Sequence, residues 1–172
     1  MKHYFFSILA LFFAFGCAQI QSPQITQTEP KCPAPLAKIH IESIKAGQND
    51  LNIAPDQIKK LLDENLKDNC FVLEDSDDGY IGNISYSTSL KSSSEEKIAS
   101  SKQQSQATSE VKISLKKGGI TRTFSGKSNI ELSGKKILSI GSNANITPEI
   151  KNESISKALK AAYESAIKSF EQ

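Results

Sequence analysis

Residues 147–170 constrain this chain more than any other stretch. Thr147-Pro148-Glu149 offers an N-cap, a first-turn proline and an acid at the positive end of a helix dipole. From there Ile155, Ala158, Leu159, Ala162, Tyr163, Ala166, Ile167 and Phe170 recur at three- and four-residue intervals. That spacing gathers them on one side of an α-helix, with Ser156, Lys157, Lys160, Glu164 and Lys168 largely on the other. Such a stripe needs an apolar surface of matching length. Either the domain's own sheet supplies it or, since the helix ends the chain, a partner does.

The segments that precede it supply a sheet. Ile39 and Ile41 alternate with Lys38, His40 and Glu42, the period of a half-buried strand, and Gly47-Gln48-Asn49-Asp50 breaks the pattern. Pro55-Asp56 then opens a helix in which Ile58, Leu61, Leu62 and Leu66 share one side, predicted to end near Asn69. Cys70 to Glu74 reads as a short buried strand, Asp75 to Gly79 as a solvated acidic turn, and Ile81 to Leu90 as a further strand. Val111, Ile113 and Leu115 face Ile120, Arg122 and Phe124 across a Lys117-Gly118-Gly119 turn, the best hairpin in the chain. Asn129–Leu132 and Lys136–Ile140, about Gly134, suggest a second, shorter pair or a bulge. Between these lie residues 91–109, almost entirely Ser, Lys, Gln and Glu. They read as a flexible loop, or else as a long hairpin tip that extends its flanking strands. The expected fold is therefore α+β: a mostly antiparallel sheet of four to six strands with two helices, the long C-terminal one packed on one face.

Composition removes several classes of function. A net charge of +2, with 20 Lys and Arg122 as the only guanidinium, leaves no basic stripe for nucleic acid. Ser125-Gly126-Lys127-Ser128 ends like a phosphate loop, but the first glycine that such a loop requires would fall at Thr121, and no helix follows. Two histidines, His3 and His40, cannot build a His-based metal cluster, and Asp75, Asp77 and Asp78 lack the ligand register of a calcium loop. Glu42, Glu74 and Asp75 have no spacing that marks them as catalytic. No enzyme activity, cofactor, metal or small-molecule substrate is expected.

The opposite end of the chain states where it resides. Lys2 precedes an apolar run from Tyr4 to Phe15, which at twelve residues is short of the roughly 20 that span a bilayer and fits the core of a signal peptide. Ala14-Phe15-Gly16-Cys17 follows, and here the sequence resembles the bacterial lipoprotein signal, in which a small residue precedes a cysteine that is acylated and becomes the new N-terminus. Ala14 and Gly16 equally satisfy an ordinary secretory cleavage site. The resemblance implies removal of residues 1–16, lipidation (palmitate included) at Cys17, and a flexible tether over residues 17–36, rich in Gln and Pro, ahead of a single periplasmic domain over 37–172. Ala18, in place of the Asp found in inner-membrane lipoproteins, implies the outer membrane, facing the periplasm. Export leaves Cys32 and Cys70 as an even pair in an oxidising compartment, so a disulfide between them is expected.

The order of strand, helix and short strand, through Pro55–Leu62 to Cys70–Glu74, closed by the Ala-rich helix Ala158–Ile167, resembles small periplasmic lipoprotein domains of the curli-secretion and penicillin-binding-protein-activator type. The resemblance implies a non-catalytic binding or assembly module, held to the membrane by acyl chains and working on an envelope protein partner. The same order is similar to the lipopolysaccharide-assembly lipoprotein, which plugs an outer-membrane barrel; a surface-exposed adhesin or antigen is the third alternative.

Overall fold

The computed structural model describes residues 32–66, 70–74, 78–97, 100–137, 140–141 and 144–171. The segments expected to be a signal peptide (1–16) and a tether (17–36, as far as residue 31), Cys17 among them, lie outside these, as do residues 75–77 of the expected acidic turn. In chain order the elements are β1 (Ala37–Asn49), α1 (Pro55–Asn65), β2 (Phe71–Leu73), β3 (Tyr80–Lys97), β4 (Ser100–Lys117), β5 (Ile120–Ile137), β6 (Ile140–Gly141) and α2 (Pro148–Phe170). The strands form one six-stranded sheet ordered β2-β1-β3-β4-β5-β6. β1 runs parallel to both β2 and β3, and the other three pairings are antiparallel. The class is α+β, with α2 packed along the sheet over β4 and β5.

The apolar stripe of α2 is core. Ile155, Ala158, Leu159, Ala162, Tyr163, Ala166 and Ile167 are all buried, in one core with Ile84 and Tyr86 of β3, Val111, Ile113 and Leu115 of β4, and Phe124 of β5. Small residues let the helix come close. A Cβ built on Gly126 would stand 2.0 Å from the Ala158 carbonyl oxygen and 2.4 Å from the Ala162 nitrogen, so backbone lies on backbone where β5 passes under α2. Gly126 thus belongs to helix packing, within a strand. At the C-terminal end of α2, Phe170 makes edge contacts with Phe71 and Tyr80, and Phe71 also meets Tyr163, at centroid distances of 5.3–5.4 Å. Arg122 and Lys117 lie over Phe170 and Tyr80.

Several expectations are corrected. Residues 91–97 and 100–109 are strand and not loop: β3 and β4 pair in unbroken register from Ile81–Lys116 to Lys97–Ser100, the hairpin-tip alternative. β5 pairs with β4 along its whole length, so Asn129–Leu132 and the residues after Gly134 continue one strand, and only Lys136 and Ile137 turn back to pair with β6. Polar Ser, Gln and Lys carry no face-defining pattern, yet a ladder already set by its apolar half fixes the register of the rest. β1 runs on through Gly47 to Asn49, because Asn49 closes the strand itself: its side chain bonds both the N–H and the carbonyl of Ile53, at 3.0 and 2.7 Å. α1 stops at Asn65, whose amide caps the Leu61 carbonyl at 2.6 Å. β2 is an edge strand, with Phe71 buried and Leu73 36% exposed, because only one face lies against the core.

Candidate functional site

Two regions differ from an ordinary packed domain: the point where the chain enters it, and the far half of its central hairpin. At the entry, Cys32 and Cys70 are joined in a disulfide, with Cα atoms 5.1 Å apart and both residues buried. Leu36 donates its N–H to the Cys70 carbonyl at 2.8 Å, and Phe71 begins β2 immediately after. The first described residue is thereby stapled to the sheet edge. Cys17, the remaining cysteine of three, lies outside the described residues.

The far half of the hairpin is set apart by a polar boundary. Thr88 Oγ1 accepts from the Leu51 N–H at 3.0 Å and donates to Asn49 Oδ1 at 3.0 Å, and Tyr86 donates its hydroxyl to the Ile53 carbonyl at 2.6 Å. Beside them, Asp50 accepts the Leu90 N–H at 3.2 Å, where β1 no longer reaches β3. Ser109 of β4 bonds Ser154 of α2 at 2.8 Å with both hydroxyls buried. Beyond Leu90 and Ala107 none of the described side chains of β3 and β4 is buried. Three paired strands continue nonetheless, β3 to Lys97, β4 from Ser100 and β5 to Ile137, an arm of roughly 25 Å at about 3.3 Å per residue.

The arm's surface sets hydrogen-bonding Ser and Gln side chains among Lys and Glu. Ser92 and Ser105 meet at 3.3 Å across β3 and β4; Gln106 donates to Glu131 at 3.0 Å, and Asn129 donates to the same carboxylate at 3.2 Å. A shallow hollow of ≈ 650 Å³ is lined by Lys91, Ser92, Gln104, Ser105, Glu131 and Leu132. A second, of ≈ 430 Å³, follows the outer edge of β1 past the end of β2, between Ile41, Ile44, Lys59, Leu62 and Leu73.

The remaining candidates disperse. His40 is exposed on β1, Glu42 accepts from Asn83 at 3.0 Å, and Glu74 pairs with Lys38 at 3.2 Å. Among the described residues no three metal-ligating side chains cluster, and no helix is long and apolar enough to cross a membrane. Tyr86, Glu110 and Glu149 are displaced from their ordinary ranges. Burial pushes the Tyr86 phenol up. The Lys112 ammonium, with Lys127 behind it, holds the Glu110 carboxyl below the usual range, and the Thr147 hydroxyl together with the backbone N–H does the same at Glu149. These three groups belong to the core, the outer sheet face and a helix start, and no two of them share a site.

No family model matches this chain, and no curated protein matches it in sequence. Solved structures share part of its chain course. A neuraminyllactose-binding hemagglutinin homolog from Helicobacter pylori is 11% identical over 83% of this chain and 87% of that one, at a TM-score of 0.46. A minor lipoprotein from Acinetobacter baumannii is 9% identical over 80% and 92%, at 0.36. Rare lipoprotein B from Shewanella oneidensis is 13% identical over 75% and 83%, at 0.29. Likeness at this level says nothing of what the present chain binds.

Proposed function

We propose that this protein is an outer-membrane lipoprotein whose Cys17 carries the acyl chains and whose domain, facing the periplasm, acts without catalysis by holding an envelope protein on its three-stranded arm. The observation that carries the reading is the arm itself. Seven residues of β3 (91–97) and seven of β4 (100–106) continue past the last core layer with no buried side chain, and ordering them costs backbone entropy that no buried apolar surface of their own offsets. A surface extended beyond the needs of its own core is a surface for contact. The disulfide between Cys32 and Cys70 supports an oxidising compartment, and it leaves Cys17 free of a thiol partner within the chain.

The test has two stages in cells that make the full chain. Labelled palmitate is expected on the wild type and absent from Cys17→Ala; an unlabelled wild type refutes the anchor. A photo-crosslinking residue at Gln104, on the arm, is then compared with one at Ser114, on the same sheet face over the core. An envelope protein captured from position 104 and not from 114 supports the arm as binding site. Equal capture, or none, removes it. Should the captured protein be a membrane barrel, the plug alternative replaces the periplasmic one; protease sensitivity of the arm on intact cells would replace it with the surface-exposed one.

A further inference from the structure

We infer that the outer edge of β5 pairs with β5 of a second copy across a two-fold axis centred on Asn129. A sheet that does not close has two edges, and here they are built differently. β1 is half-covered by β2 and carries register shifts between Ile41 and Ser43 and between Ala46 and Asn49, the irregularities that discourage strand addition. β5 pairs with β4 through eighteen consecutive residues without a shift. On its other side, among the described residues, only Lys136 and Ile137 have a strand partner. That leaves Ile120–Lys135 as a long, regular row of backbone donors and acceptors.

The side chains select the partner and the register. In an antiparallel pair, residues facing α2 must lie opposite residues facing α2, so a strand pairing with itself is restricted to centres that fall on a residue. Centring on Lys127 sets that lysine against itself, and centring on Glu131 sets Glu131 against Glu131 and Lys127 against Lys135. Both place like charges in contact. Centring on Asn129 puts Lys127 opposite Glu131 twice. The two groups are prepared for it. Lys127 is 71% exposed, and among the described residues its ion pair is with Glu110 at 3.3 Å. The Glu131 carboxylate is oriented by the neutral amides of Gln106 and Asn129 and has no ammonium on it among the described residues.

The opposite face fits in the same register. Leu132, half-buried, falls opposite Gly126, and Phe124 falls opposite Gly134, so the strand's two inward-facing glycines meet two of its large apolar side chains. The incoming Leu132 would lie along the flank of α2 at Ala161 and Ser165, both small and exposed. A second copy of this chain supplies all four complements at once, by symmetry. The pairing requires neither the anchor nor a particular protein on the arm; it goes beyond the reading above by making two three-stranded arms into one six-stranded face.

Cysteine crosslinking of the purified full chain in detergent, under mild oxidant, reads the register. Asn129→Cys is expected to give a covalent dimer. So is a mixture of Ser125→Cys with Ser133→Cys, whereas either of that pair alone stays monomeric, its two copies being roughly 26 Å apart at 3.3 Å per residue. Lys127→Glu and Glu131→Lys, each combined with Asn129→Cys, are expected to weaken dimerisation about tenfold, and the two together to restore it. Restoration by the double swap separates loss of pairing from loss of fold. The inference is overturned if Asn129→Cys links no better than Ser114→Cys, if Ser125→Cys links with itself as well as with Ser133→Cys, or if the charge swaps leave the yield unchanged.

Discussion

The same three strands make two different materials. Between Gly82 and Thr88, and opposite them from Ser109 to Leu115 and Phe124 to Ser128, every second residue is buried. A few residues on, with the ladder unbroken, β3 from Lys91 and β4 back to Ser100 have no buried side chain. Hydrogen-bond geometry is shared and only the packing differs. Strand conformation in the arm is therefore inherited from the body, which nucleates the register and lends it stability, while the arm contributes reach and a polar surface.

That contrast can be broken at its strong end first. Gly126→Ala drives a methyl into the α2 backbone, and an overpacked contact with no flexible side chain to yield is expected to cost about 3 kcal/mol or more, read as a lowered Tm or loss of folded protein. Ser133→Ala on the arm should leave Tm unchanged; equal effects would show the arm to be packed. Next, Cys32→Ser opens a loop spanning a sequence separation of 38, for which chain entropy gives about 3 to 4 kcal/mol. The check is a denaturant midpoint under oxidising conditions, and identical midpoints for oxidised and reduced wild type would sink the estimate. Thr88→Val leaves the Leu51 N–H unsatisfied in the core, an expected loss of about 1 to 3 kcal/mol. In the same variant, amides of 91–97 should exchange faster still, since Thr88 holds the boundary from which the arm grows. If their exchange keeps the wild-type rate, the arm is independently stable.

The smallest effect concerns Glu110. Lys112 and Lys127 hold its carboxyl below the ordinary value of 4.5, so its contribution is present above that pH and is lost as pH falls through the lower folded value. Glu110→Gln is expected to lower stability by less than about 1 kcal/mol at neutral pH, given an outer-face pair screened by water. The difference should vanish toward pH 3; a gap that persists there assigns the effect to packing. Glu95→Gln on the arm, whose pair with Lys97 is 66–71% exposed, should leave stability at neutral pH unchanged.

How much of this is legible in the sequence follows the same division. Period 3.6 in α2 and α1 and period 2 around Ile39, Val111 and Phe124 report burial, and where burial exists the elements fall where the pattern puts them. The arm has no such period, and its order comes from neighbours that are distant in sequence. The parallel pairing of β1 with β3 is equally silent, since no local residue encodes it. Gly126 sits in a run that ends like a phosphate loop yet fails as one, and its use, a close approach of α2, involves residues more than thirty positions away. The cysteine pair was readable by parity once Cys17 was set aside. The open edge of β5 was not, because it is defined by hydrogen bonds that are absent.

The disulfide also fixes how the domain bears load. Tension arriving through the residues before Cys32 passes across the sulfur bridge to Cys70 and directly into β2 and β3, so the enclosed span that holds β1 and α1 lies off the line of pull. With the bridge intact, the covalent path skips residues 33–69; with it reduced, the same pull falls on β1, whose start at Ala37 lies beside Phe71 of β2. The bridge is thus a strain relief at the point where the cable enters.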